Sequence, residues 1–376
     1  MTQLASGGLV PSRTLTNDEE KSVTDVNVVD EDATERSAAI GAKARMLLEF
    51  RGDGAEYFKI WIVNVVLTIL TLGVYSAWAK VRNKRYFYSN MFLDGHHFEY
   101  LANPITILKS RIVAVIALGI YLGASSFFPM VAIGLMVALL IAMPWLIVRS
   151  LAFNHRMTAY RNVQFRFHGK YRQAAMVLFV WPLVGVFTFG IMYPYALLKL
   201  NEYIVFESAF GTSRFRFDAK YGDYGWVFLK VMGFFVVGMF VSVFVTALFV
   251  PLTSPEAAPF ISLAPIMAIY LLVFIYMTVA FTNVFYNATS IRGCEFEADL
   301  KLGGYAKVIF INVFLTIITL GLYLPAAKIR STRYVVENMA FIADGPLDDF
   351  IAAEREQISA LGEEFGEVFD FDIGIT

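Results

Sequence analysis

Polar side chains recur at helical spacing inside two long apolar segments of the chain. The first set is Asn64, Thr68, Thr71 and Tyr75, and the second is Asn312, Thr316, Thr319 and Tyr323. Members of each set lie three or four residues apart, so in a helix they share one face. Such stripes have two interpretations: a solute path between facing stripes, as in transporters built from repeats, or hydrogen bonds that join neighbouring helices.

Basic side chains follow both stripes. They are Lys80, Arg82 and Arg85 after the first stripe, and Lys328, Arg330 and Arg333 after the second. Cations at a cytosolic helix end attract anionic lipid headgroups, at about 1 kcal/mol per side chain. These six residues are therefore candidate headgroup contacts. The other interpretation is the ordinary anchoring of a membrane protein by its inside charges.

The sequence contains no constellation typical of an enzyme or of a metal site. The four histidines lack further ligands at metal-site spacing, and the H-E-x-x-H, G-x-S-x-G and P-loop motifs are absent. A net charge of −1 gives no basic field for nucleic acid. We therefore expect no catalytic activity, no metal, no cofactor and no nucleic-acid partner.

The elements that contain these residues are long and apolar. Hydrophobic residues make up 57% of the chain and charged residues 17%, against about 45–50% and about 25% in soluble domains. The sequence predicts an all-α polytopic membrane protein over residues 46–345. Its seven hydrophobic elements span about 58–79, 105–127, 129–149, 174–197, 226–250, 260–283 and 305–327. Elements 105–127 and 129–149 predict one helical hairpin, and elements 226–250 and 260–283 predict another.

Three of the seven elements are copies of one another. The segment 57–86 aligns without a gap with 305–334, and more than half of the positions are identical. A weaker third copy contains Thr188-Phe189-Gly190, which matches Thr71-Leu72-Gly73. The repeated elements therefore alternate with the two helical hairpins. Outside this domain we expect a disordered acidic and polar tail at 1–45 and an acidic cytosolic tail at 346–376.

The repeated elements allow two membrane topologies. About 20 residues separate Lys59 from Lys80, enough for a straight helix of about 30 Å, so each element could cross once and give seven crossings. Lysines and arginines occur in all four connectors, the segments that join the repeated elements to the helical hairpins. They occur in neither hairpin turn, near 124–130 and 251–260. The positive-inside rule then places every connector in the cytoplasm. That arrangement requires each repeated element to be re-entrant, with a reversal at Thr-Leu-Gly.

The cytosolic connectors alternate polar and aromatic residues. The four segments are His97-Phe98-Glu99-Tyr100, Gln164-Phe165-Arg166-Phe167, Arg214-Phe215-Arg216-Phe217 and Glu295-Phe296-Glu297. A period of two predicts short strands, which could pair into a small sheet under the helices. The other interpretation is interfacial aromatic residues that anchor loops.

The repeated signature Tyr-x-Lys-x(4)-Asn-x(3)-Thr-x(2)-Thr-Leu-Gly-x-Tyr, followed by Lys-x-Arg-x(2)-Arg-Tyr, resembles the YjgN family. These are bacterial inner-membrane proteins with a domain of unknown function. The resemblance covers roughly Phe50 to Gly345, and the last copy departs from it with Ala326 where the first copy has Trp78. It implies a multi-pass protein of the bacterial inner membrane, and it brings no assigned catalytic or binding residues.

Two functions from different classes follow. The leading hypothesis is a transporter-like or channel-like protein for a small or lipid-like solute. The alternative is a non-transporting envelope protein that organises anionic lipids or protein partners through its basic cytosolic face. The expected partners are the lipid bilayer, with anionic lipids as candidates, and a second copy of the chain, because Gly119 and Gly123 form a G-x-x-x-G motif.

Overall fold

The computed structural model describes residues 43–370, with side chains up to residue 359. The expectation of a disordered tail at 1–45 concerns residues that lie outside this range, except for the last three. Of those, Ala44 and Arg45 already belong to the first strand. The last six residues of the acidic tail at 346–376 also lie outside it.

Ten short strands form a closed antiparallel barrel in which every strand pairs with its neighbours along the chain. The last strand pairs back onto the first, with Ala44 opposite Ala343, and this pairing closes the barrel. The strands are β1 (Ala44–Phe50), β2 (Met91–Leu93), β3 (His96–Tyr100), β4 (Thr158–Tyr160), β5 (Val163–Phe167), β6 (Ser208–Phe210), β7 (Ser213–Phe217), β8 (Thr289–Ile291), β9 (Cys294–Ala298) and β10 (Met339–Ala343).

The barrel confirms one prediction about the connectors and corrects another. The four alternating segments are strands β3, β5, β7 and β9, as their period of two predicts. The prediction of an all-α fold is wrong for this part of the chain, because the strands do not stop at a small open sheet. A closed barrel leaves no unpaired edge. Four of the strands that pair with the alternating segments, β2, β4, β6 and β8, are only three residues long, too short to show a period.

Helical hairpins link the strands in five consecutive units, each with a first strand, two helical arms and a second strand. The second strand has three residues in units 1 to 4 and five in unit 5. Because neighbouring strands are antiparallel, every hairpin leaves and rejoins the barrel at the same rim. The arms are α1 (Gly54–Leu70) and α2 (Ser76–Ser89), α3 (Pro104–Phe127) and α4 (Pro129–Arg156), α5 (Tyr171–Phe187) and α6 (Tyr193–Phe206), α7 (Tyr221–Phe249) and α8 (Ala258–Asn287), and α9 (Leu302–Ile318) and α10 (Leu324–Glu337).

The hairpins of units 2 and 4 are long enough to cross a membrane. Helices α3, α4, α7 and α8 each have the length and the apolar composition of a membrane span. Few of their side chains are buried within the protein, as expected for helices that face lipid. The two predicted helical hairpins are present, and their four helices are candidate membrane spans.

The hairpins of units 1, 3 and 5 contain the three repeated elements, and each element folds back on itself. Its chain reverses at Thr71, Thr188 or Thr319, where the outgoing arm ends. The interpretation with seven single crossings is therefore wrong, and the re-entrant topology is the one the structure has. The outgoing arms α1 and α9 have 17 residues each, about 25 Å of helix.

The turns between units lie at the rim opposite the helices. Both residues of Asp94-Gly95, Arg161-Asn162 and Arg292-Gly293 have positive φ, the conformation of the two-residue turns that match the twist of a hairpin. The final helix, α11 (Leu347–Asp370), follows β10 and packs at this same rim.

Candidate functional site

The lumen of the barrel is a cavity to which all ten strands contribute lining residues. Side chains alternate between the two faces of a strand, so every second residue points inward. The inward residue two positions before the end of the first strand is equivalent in all five units. These residues are Leu48, Phe98, Phe165, Phe215 and Phe296, and all five line the lumen.

Aromatic rings form a continuous wall around much of the lumen. The ring centroids of Phe165 and Phe215 lie 6.4 Å apart, and those of Phe215 and Phe296 lie 6.3 Å apart. Short strands add Tyr160, whose ring lies 4.8 Å from that of Phe98, and Phe210, 5.0 Å from Phe165. Aromatic pairs at this spacing contribute attraction in addition to the burial of their surface area, so the rings of the wall stabilise one another.

The lumen encloses about 580 Å³, within the range of about 300–1,000 Å³ found for small-molecule sites. None of the described residues that line it is charged. The hydroxyl of Tyr160 donates to the carbonyl oxygen of Leu93 at 2.7 Å, which removes it as a donor for anything inside. The site can therefore hold an apolar, uncharged molecule.

The two ends of the lumen differ in chemistry. Toward the membrane helices it is lined by Tyr286, Tyr305, Ser331 and Thr332, from α8, α9 and α10. At the opposite end it is lined by Leu347, Phe350 and Ile351 of α11. Hydroxyl groups thus lie at the membrane end, and the described residues of α11 contribute only hydrocarbon side chains to the lining.

The threonines of the predicted polar stripes build the reversals of the re-entrant hairpins. Thr71 Oγ1 donates to the carbonyl oxygen of Leu67 at 2.7 Å and accepts from the backbone N–H of Tyr75 at 2.9 Å. Thr319 makes the equivalent bonds in unit 5, and Thr188 makes them in unit 3. Their hydroxyls therefore satisfy backbone groups at the tip.

The same reversal uses a left-handed pair of residues after the threonine. Leu72 and Gly73 have φ of 49° and 91°, and the N–H of Gly73 donates to the carbonyl oxygen of Thr68 at 2.7 Å. Gly321 donates to Thr316 in the same way at 2.8 Å. This pattern of bonds is the Schellman motif that ends helices, so Thr68 and Thr316 contribute their backbone carbonyls here.

The asparagines of the two stripes join the arms of their own hairpins. Asn64 Nδ2 donates to Asn83 Oδ1 at 2.9 Å. Asn312 Nδ2 donates to the carbonyl oxygen of Ala327 at 3.1 Å and to Ser331 Oγ at 3.0 Å. Among the described residues no hydrogen bond connects one stripe with the other. The asparagine bonds of each stripe thus lie within its own hairpin.

The remaining stripe residues, Tyr75 and Tyr323, contact side chains of their own hairpins. The ring of Tyr75 stacks on that of Trp78, with centroids 6.2 Å apart. The guanidinium of Arg330 lies 5.8 Å from the ring centroid of Tyr323. Neither contact reaches the lumen.

The candidate headgroup contacts divide into structural and exposed residues. Arg85 donates to the carbonyl oxygens of Tyr100 and Ala102, at 3.3 and 3.1 Å, and Arg333 donates to that of Gly52 at 2.7 Å. Both arginines thus fasten their helices to strand–helix junctions. The ammonium of Lys328 lies 4.4 Å from the ring centroid of Phe87. Lys80 and Arg82 are exposed, and they remain candidates for lipid headgroups.

Sequence reasoning missed the lumen and the residues that line it. A signal was present, because each alternating connector places an aromatic residue two positions before its end, and several connectors follow a turn such as Asp94-Gly95 or Arg292-Gly293. Reading those turns as tight hairpins would have predicted that the strands pair in sequence. It would not have predicted that the barrel closes.

Comparisons with known proteins find relatives along most of the chain. The sequence model of a family described as "Bacterial protein of unknown function (DUF898)" matches residues 45–368. A protein named "Inner membrane protein YjgN" from Salmonella typhimurium strain LT2 is 25% identical over 365 residues, which cover 82% of this chain and 91% of that protein. Proteins of the same name from Escherichia coli O157:H7 and K12 are each 24% identical over 363 residues, with the same coverage. No solved structure matches.

Proposed function

The chain belongs to the DUF898 family of bacterial proteins of unknown function, and we propose that it binds an uncharged, lipid-like molecule in the lumen of its barrel. The resemblance to the YjgN family is confirmed, and the protein is a multi-pass protein of the bacterial inner membrane. The observation that supports the proposal is the lumen itself, which is closed by strand pairing and lined by aromatic and aliphatic side chains.

The size of the lumen favours a ligand over a packing defect. Protein interiors have few voids larger than a water molecule, whereas this one encloses about 580 Å³. Side chains that face such a space lack partner atoms on one side and lose dispersion contacts. A hydrocarbon chain in the lumen would restore those contacts.

The chemistry of the lining selects the class of ligand. Burying a charge without a partner is very costly, and no charged side chain among the described lining residues could provide one. The hydroxyls of Ser331 and Thr332 lie at the membrane end, where a small polar group of the ligand could be bound. We therefore propose an acyl or isoprenoid chain with an uncharged head, which the adjacent bilayer can supply.

This proposal narrows the transporter-like hypothesis for a lipid-like solute. The bonds of Asn64, Thr71, Asn312 and Thr319 lie within their own hairpins, so they give no support to a path between the stripes. The lumen supports a carrier that takes a lipid from the membrane and holds it at the barrel. The alternative, organisation of anionic lipids without transport, depends on exposed cations such as Lys80 and Arg82.

Native mass spectrometry of the purified protein with a monoacylglycerol tests this function. The variant Val335→Trp places an indole in the lumen, and Val313→Trp places one on the exposed face of the neighbouring arm α9. We expect one bound monoacylglycerol in the wild type and in Val313→Trp, and at least about tenfold weaker binding in Val335→Trp, the loss that about 1.4 kcal/mol produces.

Equal binding by both tryptophan variants would contradict the lumen as the site. If a phosphatidylglycerol binds instead, and if that binding is lost in Lys80→Gln with Arg82→Gln, the alternative function is favoured. Thr332→Trp is a second lumen variant that serves if Val335→Trp does not fold.

A further inference from the structure

The C-terminal helix α11 closes one end of the lumen, and we infer that it is a latched gate through which the bound molecule exchanges. This inference rests on the proposed lipid-binding function, and it adds the route and its control. The latch is the carboxylate of Glu354, which binds two different turns of the barrel.

Helix α11 forms the floor of the lumen with a small apolar surface. Leu347 and Ile351 are buried, at 4% and 1% exposure, and both line the lumen together with Phe350. The ring of Phe350 stacks on that of Phe210, with centroids 5.9 Å apart. The floor therefore separates the lumen from the rim where the turns lie.

The barrel does not need α11 for its closure. Strand β10 ends at Ala343 and pairs with β1, so the ring of strands is complete before α11 begins. The link between them contains Gly345, whose φ of 106° is a conformation suited to glycine. Helix α11 can thus leave the rim without breaking a strand pair.

Glu354 holds α11 against the barrel by a concentrated set of bonds. Its side chain is fully buried. Its carboxylate accepts from the backbone N–H of Thr212 at 2.8 Å, from the hydroxyl of Thr212 at 2.9 Å, from Arg292 Nη1 at 2.9 Å and from the hydroxyl of Ser213. Thr212 and Ser213 lie at the turn between β6 and β7, and Arg292 lies at the turn between β8 and β9. One carboxylate thus joins α11 to two turns.

The turns are shaped to receive this carboxylate. A Cβ atom at Gly211 would lie 2.5 Å from Glu354 Oε2, so a side chain there would displace the carboxylate from its bonds. Burial raises the pKa of Glu354, but the hydrogen bonds from Ser213, Thr212 and Arg292 outweigh it and hold the pKa below the ordinary value. The carboxylate is therefore charged at neutral pH, and its bonds are the stronger, charge-assisted kind.

A second contact anchors α11 beside the turn between β4 and β5. Arg161 binds the carboxylate of Asp348, and Arg355 Nε donates to the carbonyl oxygen of Arg161 at 3.2 Å. The outward residues Ala352, Arg355 and Glu356 are exposed, so this face of α11 is already hydrated. Undocking therefore has to break the bonds of Glu354 and of this second contact and to expose the apolar side chains of the floor, Leu347, Phe350 and Ile351.

The variant Glu354→Gln tests the gate, with Glu356→Gln on the exposed face as its matched control. The first measurement is hydrogen exchange of the amides in 347–359, which reports opening of α11 without any ligand. The second is release of a pyrene-labelled monoacylglycerol from the full-length protein to acceptor vesicles. We expect both rates to rise about tenfold in Glu354→Gln, as for bonds weakened by about 1.4 kcal/mol, and to be unchanged in Glu356→Gln.

The outcomes separate the gate from the function on which it rests. If the wild type binds no probe, the proposed function fails. If the wild type binds but release is not accelerated in Glu354→Gln although exchange is, the molecule does not pass α11 and the gate is excluded. Unchanged exchange would show that Glu354 is not the latch. Ser213→Ala, which removes one bond, provides a milder variant if Glu354→Gln does not fold, and the same two rates should then rise by a smaller factor.

Discussion

The re-entrant hairpins of units 1 and 5 and the spanning hairpin of unit 4 occupy equivalent places in the barrel but are stabilised differently. In units 1 and 5 an asparagine bridges the two arms, and both asparagines are buried, at 3% and 5% exposure. In unit 4 the arms α7 and α8 meet at Gly238, where a Cβ atom would lie 2.7 Å from the side chain of Ile269. The short arms of units 1 and 5 are thus joined by polar bonds, and the long arms of unit 4 by close packing.

The difference follows from length and from the surrounding lipid. A polar group at membrane depth must find a partner within the protein, and the ends of a re-entrant hairpin place several backbone groups there. Thr71 and Thr319 satisfy such groups at the tips, which expose Leu72 and Leu320 almost completely. The arms of the spanning hairpins are long enough to reverse outside the apolar layer, where water can satisfy their turns.

The largest expected effect is an all-or-none difference in the side of the membrane from which engineered cysteines can be labelled. In a Cys294→Ser background, cysteines at His96 and Glu295 should react with an impermeant maleimide from one side, and cysteines at Ser126 and Ser254 from the other. The reason is that every hairpin returns to the same rim. If His96→Cys and Glu295→Cys reacted from opposite sides of the membrane, the result would contradict the re-entrant topology and support seven single crossings. Labelling in inside-out and right-side-out vesicles makes the measurement.

A smaller effect is expected from the asparagine that bridges the arms of unit 5. Asn312→Leu leaves the carbonyl oxygen of Ala327 and the hydroxyl of Ser331 without their donor, and we expect a loss of about 1–3 kcal/mol in the free energy of unfolding. Titration with SDS in mixed micelles measures it. The exposed neighbour variant Val313→Leu should change little. If Asn312→Leu left the free energy of unfolding unchanged, the short arms would be held together by packing, as the long arms are.

The smallest expected effects come from alanine substitutions at two glycines of the same hairpin, which should change the stability of the protein in opposite directions. Gly321→Ala puts a Cβ atom on a residue with φ of 92°, which should destabilise the protein by about 1–2 kcal/mol. Gly303→Ala, where nothing lies within 4 Å of the added Cβ, should stabilise helix α9 by about 0.5–1 kcal/mol. Thermal unfolding in detergent compares the two. The same sign for both would show that the reversal at Thr319 tolerates a side chain.

Local features of the fold could be predicted from the sequence. The repeat, the reversal at Thr-Leu-Gly and the strand character of the connectors depend on residues that are close along the chain. The choice between a single crossing and a re-entrant turn stayed open, because helix length favours a crossing whereas the distribution of lysines and arginines favours re-entry. The structure decides it through Thr71 and Gly73, whose hydrogen bonds stop the helix at that point.

Features that join distant parts of the chain could not be predicted. Glu354 looks like its exposed neighbour Glu356 in the sequence, and the residues that bury it, Thr212 and Arg292, lie far from it along the chain. Closure of the barrel depends on Ala44 meeting Ala343, which no local pattern requires. The lumen follows from that closure, so it was missed together with it.

The most direct test of the lipid-binding lumen is photo-crosslinking with a diazirine-labelled monoacylglycerol in native membranes, followed by mapping of the modified residues on β7. Strand alternation places Phe215 in the lumen and Arg214 and Arg216 on the outer face. The account predicts adducts on Phe215 and on the equivalent Phe165 and Phe296. Adducts confined to the lipid-facing helices α3, α4, α7 and α8, with none on these strands, would contradict it.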